Sequence, residues 1–262
     1  MLQTRREEIL RLLEQEHTVK VSDLMQRFSV SIETIRRDLE HLEKEGLLTR
    51  VYGGAILNKK KASEPLYQER EIKNYQLKVA IAQRAVDLIE DGDVIGIDIG
   101  TTTKEFAKAL VGKKKAIVIT NSMQIAEILS VDDNIRVFML GGEVRQGELS
   151  VSGFMAESLI QHFNLDKYIL GIGGLTLENG ITDYHIEETN LRRVILGQSH
   201  TIIGLTDYSK FGVVAMNCVC PVEKLDILVT DTRADRTMVS KLHSAGLDVI
   251  QVDVHADGEP NA

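Results

Sequence analysis

Two cysteines, Cys218 and Cys220, are all that this chain of 262 residues contains. Spaced two apart, they share one face if the segment is a strand, and no second Cys/His pair stands at zinc-ligand spacing. They read as small core hydrophobes, and no metal or redox centre is expected. Long apolar runs are missing too: none approaches the ~20 residues that span a bilayer. The first residues, M-L-Q-T-R-R-E-E, lack the basic-then-apolar layout of a signal peptide. The expectation is a cytoplasmic chain with no membrane partner. A dinucleotide fingerprint is also absent. Gly171-Ile172-Gly173-Gly174 does not have the G-x-G-x-x-G spacing, and no suitably placed acid follows it, so no cofactor is expected.

What is present is ordinary in bulk and uneven in distribution. The chain is 43% hydrophobic and 27% charged, the balance of a globular protein with a substantial core, and its length favours two domains. Its net charge of −8 argues against indiscriminate coating of nucleic acid. Residues 1–62 hold 12 Lys/Arg against 10 Asp/Glu, whereas the remaining 200 hold 19 against 29. A slightly basic front on an acidic body fits a small DNA-reading module attached to something else.

The front is organised around residues 30–46, V-S-I-E-T-I-R-R-D-L-E-H-L-E-K-E-G. Ser31 can cap a helix, Glu33 suits its positive end, and Gly46 can close it in a left-handed conformation. Ile32, Ile35, Leu39 and Leu42 recur at helical spacing as one apolar stripe. Glu33, Thr34, Arg36, Arg37 and Glu40 fall on the other side. Paired arginines near a helix start suit a DNA major groove, while the same pattern also fits a plain amphipathic helix with a solvated face. Upstream, residues 4–16 form a helix candidate. Val19-Lys20-Val21 is too short for more than a bridge of strand. Residues 23–27 make a second short helix before the turn at Phe28-Ser29-Val30, giving a helix-turn-helix pattern. Downstream, residues 47–52 and 55–57 flank Gly53-Gly54 as a hairpin wing. Arg50 and Tyr52 in it can donate to phosphates or simply be exposed strand residues. Lys59-Lys60-Lys61 is a solvated linker that can also attract phosphates. Glu64-Pro65 marks the boundary.

Beyond a long helical stretch at 66–89, short apolar strands alternate with amphipathic helices. Strands are expected at 94–97, 116–119, 135–140, 168–170, 201–205, 227–229 and 249–252. Helices are expected at 104–110, 124–129, 154–163, 186–196 and 236–245. This is the pattern of a mostly parallel sheet covered on both faces, whose ligands sit at the strands' carboxyl ends. Asp98-Ile99-Gly100-Thr101-Thr102-Thr103 follows the first strand and opens a helix. Its hydroxyls and N–H groups can cradle an anion, or the threonines can merely cap the helix. Thr120-Asn121-Ser122 has the same dual reading. Arg145, in Gly141-Gly142-Glu143-Val144-Arg145, can clamp an anion. Lys210, in Asp207-Tyr208-Ser209-Lys210-Phe211, suits a phosphate or an ordinary surface loop.

Arg5, Ile9 and Leu13, then S31-x-x-T34-I35-R36-R37-D38-L39, then R-V-Y-G-G-A from Arg50 to Ala55, resemble the helix-turn-helix signature of the DeoR-type transcriptional repressors. The later motifs D-x-G-T-T-T, T-N-S, G-G-x-x-R, G-I-T followed by Glu188, and D-x-S-K-F resemble that family's sensor domain in the same order. The resemblance implies a winged helix-turn-helix domain at 1–58, a linker and bridging helix start at 59–75, and an α/β ligand-sensing domain at 76–254. A flexible tail would occupy 255–262. It implies that the α/β domain is similar to ribose-5-phosphate isomerase and binds a phosphorylated sugar or related metabolite. It makes Ser31, Thr34, Arg36, Arg37, Arg50 and Tyr52 the DNA-contact candidates, with Asp38 holding a neighbouring arginine. Asp98, Gly100, Thr101, Thr102, Thr103, Asn121, Arg145, Glu188 and Lys210 become the candidates around the ligand. The chain departs from the family at Gly173 and Gly174, where many members carry an aspartate.

The expected function is a repressor of sugar or related carbon metabolism, a homodimer or homotetramer on operator DNA, modulated by a phosphorylated metabolite. No catalytic residue is assigned. The alternative is a sugar-phosphate isomerase with an accessory DNA-binding domain, Glu188 or Asp98 acting as base and Lys210 as electrophile or phosphate partner. A third reading is a constitutive DNA-binding protein whose body only dimerises.

Overall fold

Helical and strand periodicities along the chain separate into two compact units, Met1–Lys61 and Ala62–Ala262. The computed structural model describes residues 2–16, 18–44, 48–57 and 64–254. The cap expected at Gly46, the lysine triplet 59–61 and the tail 255–262 lie outside the described residues.

The first unit runs α1 (Leu2–Glu16), β1 (Thr18–Lys20), α2 (Val21–Phe28), α3 (Ile32–Lys44), β2 (Leu48–Val51) and β3 (Gly54–Leu57). Ser29, at φ +51°, turns the chain left-handedly between α2 and α3. Ile35, Leu39 and Leu42 of α3 are buried with Ile9, Leu13, Leu24 and Leu48 in one core. Each such side chain contributes roughly 1.5–3 kcal/mol by leaving water. Ile32 departs from the expected stripe and is 41% exposed. It is the first residue of α3, and a helical side chain leans toward the N-terminus, where no preceding turn covers it. The stretch at 18–20 does more than bridge: β1 pairs antiparallel with β3, which pairs with β2, so the wing is anchored in a three-stranded sheet.

The second unit begins with α4 (Tyr67–Ile72) and α5 (Tyr75–Val86). The single helix expected over 66–89 is broken at Asn74, which sits left-handed at φ +56° and donates to Asp207 Oδ1 at 3.0 Å. Asparagine tolerates that conformation better than most residues. The alternating pattern then follows: β4 (Val94–Ile97), α6 (Thr101–Leu110), β5 (Ala116–Thr120), α7 (Met123–Leu129) and β6 (Ile135–Met139). After a hairpin of β7 (Glu143–Arg145) and β8 (Ser150–Ser152) come α8 (Phe154–Ile160) and β9 (Leu165–Gly171). The chain continues through β10 (Gly174–Thr176), β11 (Gly180–Asp183), α9 (Ile186–Gly197), β12 (Ser199–Leu205) and β13 (Asn217–Cys220). It closes with β14 (Ile227–Asp231), α10 (Arg236–Ser244) and β15 (Asp248–Val252).

Seven strands form one sheet in the order β15-β14-β12-β9-β4-β5-β6, and every pairing in it is parallel. Successive residues of a strand face opposite sides. Tyr168 and Leu170 of β9 accordingly join the core shared with α8, α9 and α10, while Ile169 joins that of α5, α6 and α7. The order of strands reverses between β4 and β9: β4 leads through β5 to β6, β9 through β12 to β14 and β15. Open α/β sheets leave a crevice at the carboxyl ends of such a pair. Strands β10, β11 and β13 make a separate antiparallel sheet. Cys218 on β13 is exposed and only Cys220 is buried, which corrects the reading of both as core. Strand β13 is an edge strand, and its pairing with β11 is interrupted by a bulge between Ile181 and Thr182. Among the described residues no helix is long and apolar enough to cross a membrane, and no metal-ligating cluster is present.

Candidate functional site

In the first unit, α3 starts at Ser31, whose Oγ accepts from Thr34 N at 3.3 Å and pairs with Thr34 Oγ1 at 3.0 Å. The two hydroxyls therefore set where the helix begins. Arg36 and Arg37 are exposed, and neither has a hydrogen-bond or ion-pair partner among the described residues. Asp38 is 1% exposed and accepts from Arg5 Nε at 2.6 Å and Arg6 Nε at 2.9 Å. The arginines it holds come from α1 rather than from α3. Its role is to lock α1 against the helix that carries Arg36 and Arg37. Arg50 is engaged inside the unit: its N and Nε donate to Glu43 at 2.8 and 2.6 Å. Those hydrogen bonds hold the Glu43 carboxyl below its ordinary range. Tyr52 stands fully exposed at the wing turn. Outward arginines near a helix start, a wing and an internally braced helix pair form the geometry that places a helix in a DNA groove.

In the second unit, a cavity of ≈ 220 Å³ opens at the β4/β9 reversal. Ile99, Gly100, Thr101 and Thr102 follow β4 into it, and Gly171, Ile172 and Gly173 come from the end of β9. Gly100 adopts φ +147°, a conformation L side chains avoid, and no side chain caps α6. First-turn N–H groups of an uncapped helix attract anions. Arg70, Lys73, Lys78 and Lys210 line the cavity as well. Lys210 is half-buried, and its ammonium has no hydrogen-bond or ion-pair partner among the described residues. Burial lowers its pKa from the ordinary lysine value, opposed chiefly by the Asp207 carboxylate. Burial also lowers Lys78, to about 8. Its Nζ donates to the Arg70 carbonyl, not to a carboxylate.

Of the expected ligand residues, Gly100, Thr101, Thr102 and Lys210 line the cavity. Five do not. Asp98 lies behind the wall, accepting from Arg192 Nε at 2.7 Å and Gly171 N at 3.1 Å. Burial raises its pKa to about 6, with Arg192 opposing. Thr103 Oγ1 turns back onto the Gly100 carbonyl at 3.1 Å. Asn121 Nδ2 donates to the Val151 carbonyl at 3.2 Å and ties β5 to β8. Glu188 accepts from Ser150 Oγ at 2.7 Å and Arg145 Nη1 at 2.8 Å. Arg145 spends its other nitrogen on Glu64, a residue that does line the cavity. Neither carboxylate expected as a proton-transferring base therefore faces the cavity.

Sequence reasoning missed Arg70 and Lys73, which lie in the stretch read as a linker and bridging helix start, and Lys78, which lies in the helix that follows it. It also missed Asp183 and Arg192. Arg192 follows Glu188 at four residues on α9, a spacing that puts both on one helix face and could have drawn attention to it. Asp183 supplies a carboxylate where the chain's glycines had implied its absence. A Cβ built on Gly173 would stand 2.8 Å from Asp183 Oδ2, so glycine there leaves the space that this carboxylate fills.

Comparison with known proteins agrees with both halves. Residues 5–61 match the DeoR-like helix-turn-helix domain, and residues 73–232 match the DeoR C terminal sensor domain. The HTH-type transcriptional regulator GolR of Listeria innocua is 33% identical over 94% of this chain and 96% of its own length. The glycerol-3-phosphate regulon repressor of Escherichia coli K12 is 33% identical over 88% of this chain and 92% of its own. Among solved structures, ribose 5-phosphate isomerase A of Methanocaldococcus jannaschii aligns with 53% of this chain and 55% of that one, at 19% identity and a TM-score of 0.40. Two family domains in order, and relatives matched nearly end to end, place this chain in the DeoR family of DNA-binding transcriptional regulators.

Proposed function

We propose that this regulator represses genes of sugar or related carbon metabolism, and that a phosphorylated metabolite in the β4/β9 cavity modulates its operator binding. It acts in the cytoplasm. The observation that carries the ligand reading is Lys210: a half-buried ammonium that makes no hydrogen bond or ion pair among the described residues, in a cavity also lined by the uncapped start of α6. A dianionic phosphate would accept from both. Its binding acts directly on the chain that follows residues 58–63, because Glu64, Glu69, Arg70 and Lys73 line the same cavity. An anion that competes with Glu64 for Arg70 and Arg145 would change how this segment is held.

DNA contact falls to Arg36, Arg37 and the exposed Tyr52, with Ser31 and Thr34 fixing the helix start. Arg50 contributes once it leaves Glu43. One winged domain rarely supplies enough contacts for specific affinity of about 10⁻⁸ M, so a homodimer or homotetramer is the binding species. For the metabolite to induce, it must bind the DNA-free state more tightly; that difference in affinity is the whole signal.

The test uses the full chain and a duplex selected by it from random sequence. Operator affinity is measured with and without a panel of sugar phosphates, for the wild type and Lys210→Ala. A phosphate ester should shift wild-type affinity, and Lys210→Ala should bind DNA normally but lose the shift. If no ester changes either operator affinity or melting temperature, the sensor reading fails.

A further inference from the structure

The wall of the cavity contains a buried guanidinium with an unused donor. Arg192 is 4% exposed, and its Nε is committed to Asp98 at 2.7 Å. Its Nη1 has no hydrogen-bond partner, although it lies 3.2 Å from Asp183 Oδ1. That distance allows charge attraction without a well-aligned hydrogen bond, and the same Asp183 oxygen also accepts from the Tyr184 N–H at 2.7 Å. Buried arginine nitrogens are rarely left unpaired, because an unmet charged donor is expensive away from water. Beside it, Asp183 Oδ2 accepts no hydrogen bond from any described residue, and both side chains line the cavity. An unfilled donor and an unfilled acceptor thus stand together, on α9 and β11, which are not the elements that carry Arg70, Lys78 and Lys210.

Only certain groups satisfy both. A hydroxyl donates and accepts, so one or two hydroxyls can bond Asp183 Oδ2 and Arg192 Nη1 together. A carboxylate offers Asp183 no proton. It also adds a third negative charge around a single guanidinium that Asp98 and Asp183 already flank. An ammonium offers Nη1 no lone pair. We propose that Arg192 and Asp183 form the hydroxyl-reading end of the cavity, selecting phosphorylated polyhydroxy compounds whose remote end is neutral and excluding phosphorylated sugar acids. This rests on the phosphate reading of the same cavity, and Gly173 belongs to the device because a side chain there would displace Asp183 Oδ2.

The experiment measures affinity of the full chain by titration calorimetry for inorganic phosphate, glycerol 3-phosphate, ribose 5-phosphate, fructose 6-phosphate, glucose 6-phosphate and 6-phosphogluconate. At least one neutral-ended ester should bind roughly tenfold to a hundredfold tighter than inorganic phosphate, the range for hydrogen bonds to charged groups. The acid 6-phosphogluconate should bind no tighter than inorganic phosphate. Asp183→Asn should erase most of the ester's advantage and leave the phosphate Kd within about twofold. Arg192→Lys, which keeps a cation beside Asp98 but lacks Nη1, is the second variant, and melting curves confirm that each folds. Equal binding of esters and inorganic phosphate by the wild type overturns the hydroxyl-reading end and leaves the phosphate site standing. So does tightest binding by 6-phosphogluconate, or folded variants that keep the ester's advantage. Absence of binding by phosphate and every ester overturns the phosphate reading itself, and this inference with it.

Discussion

Removing the Asp38 carboxylate should destabilise the DNA-binding unit selectively. Asp38 is nearly sealed from water and carries two charged hydrogen bonds, from Arg5 at 2.6 Å and Arg6 at 2.9 Å. Breaking a fully buried ion pair typically destabilises by about 3–5 kcal/mol. Here the two guanidinium side chains keep 15% and 24% exposure, so water partly re-solvates them once released. A loss of about 2–3 kcal/mol for Asp38→Ala is therefore expected. A unit of this size has only about 3–9 kcal/mol in total. For so small a domain the loss corresponds to roughly 10–20 °C in melting temperature. Asp38→Asn keeps one acceptor and should fall between wild type and alanine. Hydrogen exchange on the full chain reads the two units separately: protection should drop in α1 and α3 and persist in β4, β9 and β12. If Asp38→Ala leaves protection of α1 and α3 within about 0.5 kcal/mol of wild type, the claim that this carboxylate braces the recognition helix is wrong.

Other outcomes follow from the same geometry. Arg36→Ala and Arg37→Ala should each weaken operator binding by about 1–3 kcal/mol if they read bases, or flatten the salt dependence by about one ion if they touch phosphate, without changing stability; gel-shift titrations across salt concentrations separate the cases. Gly173→Ala should destabilise the second unit by about 1–3 kcal/mol, because its Cβ would meet Asp183 Oδ2 at 2.8 Å and the Thr182 carbonyl at 3.0 Å; a denaturant melt that matches wild type would show that β11 yields easily. Phosphate affinity should fall as pH rises past 8. Lys78 has its folded pKa lowered to about 8 from 10.5 by burial, so its positive charge is lost there rather than two units higher. The same shift means the unfolded chain binds more protons between about pH 8 and 10.5, so Lys78 makes the fold more stable as pH rises through that window. A Lys78→Gln chain whose phosphate affinity keeps the wild-type pH profile would remove this lysine from the ligand's surroundings.

Much of the molecule is written locally. Ser31, the spacing of Ile35, Leu39 and Leu42, and the glycines at the wing all act within a few residues, so the reading helix and hairpin are visible in sequence. The motif after β4 is equally local, and Gly100, Thr101 and Thr102 indeed face the cavity. The failures share a cause. Asp98, Thr103, Asn121, Arg145 and Glu188 look like ligand groups because they are polar residues in motifs near strand ends. In the fold each has an internal partner, and for four of them that partner is thirty residues or more away in the chain. Thr103 is the exception, returning to its own turn.

By itself, the sequence determined the helix-turn-helix and wing, the seven strands of the parallel sheet with the helices between them, and the outward arginines, since 3.6-residue and two-residue periods fix those over short distances; the break at Asn74 and the short antiparallel strands β7, β8, β10, β11 and β13 were not legible in it. Tertiary structure alone decided which charges are spent and which are left over. The Arg192–Asp98 bond joins residues 94 apart, and nothing in either neighbourhood marks them as partners. That pairing arises because β4 and β9 lie side by side at the reversal of the sheet, bringing α9 beneath the loop after β4. Charge neutralisation acts through space at a few ångströms, so the residues a ligand can still reach are known only once the strands have found their neighbours.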